Sequence, residues 1–168
     1  MKRFGFAWML LIGMTAPALA GAPDIYCPDY YGRLVKWVEN KDMRKVAEAQ
    51  YLPNGSPVIF FNPDAAAASG VSRDTLRFFQ LQECAHLVLG HMVRPAGDIP
   101  SFVEQVDQAD CWAANKFWYA GEKKQIKGVE DEINSLPQKT WMYLGGPVRI
   151  LHLADNCRFK EPVWPKFP

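Results

Sequence analysis

The clearest pattern of apolar and polar positions begins at Val46. From Val46 to Tyr51 small or aromatic residues (Ala47, Ala49, Tyr51) alternate with Val46, Glu48 and Gln50, the period of a half-exposed strand. Pro53-Asn54-Gly55-Ser56 is a turn signal, and Pro57-Val58-Ile59-Phe60-Phe61 is an unbroken apolar run of buried-strand type. Together they predict a β-hairpin. Residues 27–41 upstream read as a short helix or turn region, and a loop is expected after Asn62-Pro63.

The period then changes to that of helices. Ser72 or Asp74 caps a helix that runs to about Leu89, where Gly90 is a natural stop. After a Pro95–Pro100 loop, Ser101 with Glu104 forms a capping box, opening a helix that ends near Gly121. Lys123, Lys124 and Lys127 read as a solvated turn. Residues 129–136 read as a short helix stopped by Pro137. Leu144-Gly145-Gly146-Pro147 is a turn before a last apolar segment, 148–153. The tail, with Pro162, Pro165 and Pro168, reads as extended. No internal boundary or repeat is visible, so residues 21–168 are expected to form a single domain.

Composition sharpens this picture in two places. The chain of 168 residues is 49% apolar and 22% charged, which fits a globular protein rather than a disordered one. Lys and Arg number 19 against 18 Asp and Glu, with no basic block, so no nucleic-acid partner is expected.

The first 20 residues follow another plan. Lys2 and Arg3 precede the apolar run Phe4 to Ala16, Pro17 breaks it, and Ala18-Leu19-Ala20 follows. This is the layout of a signal peptide cleaved after Ala20. The apolar run is too short to span a membrane, which takes about 20 residues. The expected product is periplasmic or secreted, with no membrane association after cleavage. The four cysteines, Cys27, Cys84, Cys111 and Cys157, agree with export and suggest two disulfides in one of three connectivities. Cys27 and Cys157 lie near the two ends and Cys84 and Cys111 within the two long helices. The favoured pairing is therefore Cys27–Cys157 with Cys84–Cys111.

Candidate chemistry concentrates between Gln82 and Asp110. Gln82, Glu83 and His86 share one helix face, because side chains three and four apart stack at 3.6 residues per turn. Val103, Val106, Asp110, Ala113 and Phe117 form an apolar stripe on the next helix, and Asp110 interrupts it. A carboxylate on a core face requires a cation, a metal or an imidazole N–H. His86 is the expected partner.

Gln82-Glu83-Cys84-Ala85-His86, continuing to Leu89-Gly90-His91, resembles the His-Glu-x-x-His helix of zinc metallopeptidases. Gln108-Ala109-Asp110-Cys111-Trp112-Ala113-Ala114 resembles the second helix of the gluzincin type, where Glu-x-x-Ala-Asp carries the third zinc ligand, at position 106 here. The resemblance covers roughly residues 45–120. It implies a zincin-like α+β fold, a small hairpin or sheet packed on two long helices. It also implies a general-base position at Glu83, a metal ligand at His86 and a supporting aspartate at Asp110. Two ligand positions are degenerate: Gln82 stands where the first histidine belongs, and Val106 where the glutamate belongs. No cofactor is therefore expected, and zinc only if the site functions. The expectation is an exported metallopeptidase-like protein with weak or no peptidase activity, binding a polypeptide or protein partner, for instance by strand addition. The alternative is an active metal-dependent hydrolase with a shifted ligand set around His86, His91 and Glu83. Restoring both ligands, with Gln82→His and Val106→Glu, should create zinc binding.

Overall fold

The computed structural model describes residues 23–160; the expected signal peptide and the proline-rich tail lie outside the described residues. Three strands form one sheet: β1 (Lys36–Glu39), β2 (Ala47–Tyr51) and β3 (Pro57–Phe61), in the order β1-β3-β2. The hairpin is present as expected. β2 runs antiparallel to β3, with Ala47 opposite Phe61 and Tyr51 opposite Pro57. β1 was read as helix or turn and is instead a strand, parallel to β3. It is largely exposed, so it carries no alternating pattern to reveal it. A local knot holds the chain just before it. Asp29 is buried and accepts the Tyr31 and Arg33 backbone N–H groups at 3.0 and 2.7 Å. Its second oxygen receives the Arg33 guanidinium and the Tyr51 hydroxyl.

The helices are α1 (Pro63–Ser69), α2 (Arg73–Val88), α3 (Ile99–Tyr119), α4 (Lys123–Ser135) and the single turn α5 (Leu153–Asn156), with a 3₁₀ segment over Gln138–Tyr143. α1 replaces an expected loop. Asn62 caps it by accepting from the Asp64 and Ala65 N–H groups, Pro63 opens it, and four alanines carry it. α2 starts at Ser72, one of the two expected caps, and Gly90 follows it at φ 78°. A Cβ on Gly90 would lie 2.7 Å from the Tyr30 ring, so the position excludes side chains twice over. α3 is capped by Asp98 rather than Ser101: the Asp98 carboxylate accepts the Ser101 N–H at 2.8 Å. The three lysines read as a turn belong to the first turns of α4, whose Ile126, Val129 and Ile133 form the buried stripe. The segment 148–153 is mostly irregular before α5 begins.

The fold is therefore α+β. α2 lies against α3, β2 and α4. Phe78, Phe79, Leu87 and Phe117 are essentially inaccessible at its centre, each contributing about 1.5–3 kcal/mol through burial. Among the described residues no helix is long and apolar enough to cross a membrane.

Both disulfides form, in a different pairing from the favoured one: Cys27–Cys84 and Cys111–Cys157. Each helix turns 100° per residue, so Cys84 and Cys111 face away from the Glu83 and Asp110 faces that meet between α2 and α3. Cys84 fastens the N-terminal knot to α2, and Cys111 fastens the C-terminal segment to α3. The bridges close separations of 57 and 46 residues.

Candidate functional site

The α2 face carrying Gln82, Glu83 and His86 looks toward α3 and the β2 edge. A cleft of about 750 Å³ opens there, lined by Lys45, Glu48 and Ala49 on one side and by Met92, Ile99 and Phe102 on the other. Glu83, His86, His91 and Val106 also line it.

Glu83 Oε2 accepts the Ala49 N–H at 2.8 Å. Ala49 lies on β2, an edge strand, so this bond satisfies a backbone group that the sheet leaves unpaired. Burial pushes the Glu83 carboxyl up to about 7, while the Ala49 N–H and the Lys45 charge pull against it. Near neutral pH this group both gives and takes a proton. Its other oxygen is hemmed in: a Cβ on Gly145 would stand 2.5 Å from Oε1. Only glycine lets the 144–147 turn approach α2 this closely.

His86 does not pair with Asp110. Its Nδ1 lies 3.0 Å from Nδ1 of His91, and His91 Nε2 lies 3.1 Å from Gln108 Oε1. Gln108 Nε2 donates to Glu104 Oε1 at 3.1 Å, which orients the amide. The tautomers follow from this chain. Gln108 Oε1 accepts from a protonated His91 Nε2, so His91 Nδ1 is an acceptor and His86 Nδ1 donates to it. His86 Nε2 keeps its lone pair. Burial, helped by the neighbouring His91 and Arg149, lowers His86 to about 4, and burial also lowers His91. Both imidazoles are neutral at pH 7. The His91 backbone N–H donates to the His86 carbonyl at 3.0 Å.

Asp110 is buried on α3 as its place in the stripe requires, but its partner is Arg149. The guanidinium grips both carboxylate oxygens, through Nε at 2.8 Å and Nη2 at 2.7 Å. Burial pushes the Asp110 carboxyl up, and the Arg149 fork opposes the shift. Arg149 was missed in the sequence, although it is the one charge inside the apolar run 148–153, the same signal that singled out Asp110 on α3.

The residues do not fit a zinc ion. Zinc takes three or four converging nitrogen, oxygen or sulfur donors. Val106 offers an apolar side chain. Gln82 is 1% exposed, and neither its Nε2 nor its Oε1 has a hydrogen-bond partner among the described residues. The shifted set fares no better, because His91 spends both ring nitrogens on His86 and Gln108. Among the described residues no three His, Cys, Asp or Glu side chains are grouped to hold a metal.

The chain matches no protein-family model, no curated protein and no solved structure.

Proposed function

We propose that this chain is an exported, zincin-like protein whose metal site has degenerated and whose cleft binds an extended polypeptide. The observation that carries the reading is the facing of the two motif helices. α2 presents Gln82, Glu83 and His86 toward α3, and α3 answers with Val106 and Asp110, one helical turn apart and both buried. Glu83, His86 and Val106, far apart in sequence, thus line one cleft, with a metal donor lost at Val106 and at Gln82 next to Glu83. The cleft supports the binding role. Its rim is apolar at Met92, Ile99 and Phe102, which are 40%, 79% and 44% exposed, and its opposite wall is a sheet edge. Two disulfides and the N-terminal leader pattern fit export.

The test uses the natively exported protein, never exposed to chelator. Elemental analysis is expected to find far less than one zinc per chain. Fluorescence anisotropy with labelled, reduced and carboxymethylated lactalbumin is expected to show saturable binding without cleavage. Stoichiometric zinc, with chelator-sensitive cleavage of that probe, would overturn the reading in favour of an active hydrolase.

A further inference from the structure

Arg149 comes from the C-terminal segment, far in sequence from both motif helices, onto Asp110 and near Gln82. Its side chain is 13% exposed and that of Asp110 6%. Beyond the two bonds to Asp110, Nη1 donates to the Pro147 carbonyl at 3.0 Å, and the guanidinium carbon sits 5.4 Å from the centre of the Trp141 ring. Every direction is thus constrained, by an anion, a carbonyl and an aromatic face.

Its position matters more than its bonds. A Cβ on Gly146 would stand 3.0 Å from Arg149 Nη1 and 3.7 Å from Gln82 Nε2. The charge therefore lies beside the first degenerate ligand position and on the carboxylate one turn from the other. A fixed guanidinium charge held near Gln82 repels a divalent cation there, because the interaction scales with charge.

We propose that Arg149 stands in place of the metal: a built-in cation, locked on Asp110 beside Gln82, that satisfies the buried carboxylate and closes the pocket to a divalent ion. This rests on the zincin-like reading above and changes one of its expectations. Restoring the two ligands alone does not restore the site, because the positive charge is already supplied from within.

The test is calorimetric titration of zinc chloride into the Q82H/V106E variant, with and without a change at Arg149. With Arg149 retained, the dissociation constant is expected to be weaker than about 1 μM. Adding R149Q, which removes the charge and keeps an amide donor for Asp110, is expected to tighten it at least about 10-fold, the scale on which groups around a metal's ligands act. Adding R149K, which keeps the charge, is expected to give no gain. Circular dichroism and non-reducing mass analysis check that each variant folds with both disulfides. If R149Q fails that check, the charge-neutral pair R149M/D110N replaces it. Tighter binding than about 1 μM with Arg149 in place would overturn this inference and leave the zincin-like reading standing. No zinc uptake after the charge is removed would overturn both.

Discussion

Glu83→Gln isolates the most perturbed carboxyl of the cleft. Glutamine keeps the shape and an oxygen for the Ala49 N–H, so the packing is preserved and the titration removed. The folded-state value of about 7 stands against an ordinary value of 4.5, a rise of about 2.5 units at about 1.4 kcal/mol each, or roughly 3 kcal/mol. The sign follows from proton linkage. Between pH 4.5 and 7 the folded protein holds a proton on Glu83 that the unfolded chain has released. The contribution is thus fully present below pH 4.5 and is lost as pH rises through 7. The stability of the wild type minus that of E83Q should therefore fall by about 3 kcal/mol between pH 4.5 and 7. Subtraction removes His86, whose lowered value works the other way: its contribution is present above pH 6.5 and lost as pH falls through about 4. Urea unfolding at half-unit pH steps, followed by tryptophan fluorescence, measures the difference directly. A flat difference curve, or one that rises with pH, would refute the reasoning, because the Glu83 carboxyl would then titrate as an ordinary exposed one.

Four further outcomes follow from the same geometry. Gln82→Met should raise unfolding stability by about 1–2 kcal/mol, since it removes a buried amide with no partner while nearly preserving volume; denaturant midpoints check it. Arg149→Ala should cost about 3–5 kcal/mol by leaving Asp110 buried and unpaired, and a calorimetric scan would show a correspondingly lower Tm. Gly145→Ala should destabilise by about 1–3 kcal/mol through the clash with Glu83 Oε1, and most of that loss should vanish on a Glu83→Ala background in a double-mutant cycle. Non-reducing peptide mapping should recover Cys27 linked to Cys84 and Cys111 linked to Cys157; removing either bridge should cost about 4 kcal/mol for loops of this size.

Some of this site was legible in advance because it depends on short-range periodicity. The hairpin, a start of α2 at Ser72 or Asp74 and its stop at Gly90 are all legible from neighbouring residues. Asp110 announced its burial by interrupting an apolar stripe. Val103, on the same stripe, is 46% exposed, because the stripe runs past the end of the packed interface. The partner of Asp110 was not legible. His86 and Arg149 both suit a carboxylate, and the choice between them depends on where the 144–149 segment returns. The disulfides failed for a similar reason: helix membership was read correctly, but the side of each helix that a cysteine faces is set by tertiary packing.

Local pattern along the chain accounts for the hairpin, the two long helices, the face shared by Gln82, Glu83 and His86, and the Gln and Val at positions 82 and 106. These follow from turn chemistry, helical period and residue type, all of which act within a few residues. It takes the packed fold to settle that β1 joins the sheet, which cysteines pair, that His86 bonds His91, and that Glu83 caps an edge strand beneath Gly145. The same packing brings a C-terminal arginine onto Asp110. Each of these joins segments separated by several turns or by most of the chain. Each is selected by the need to satisfy buried charges and backbone groups once the layers close, a constraint that local pattern does not carry.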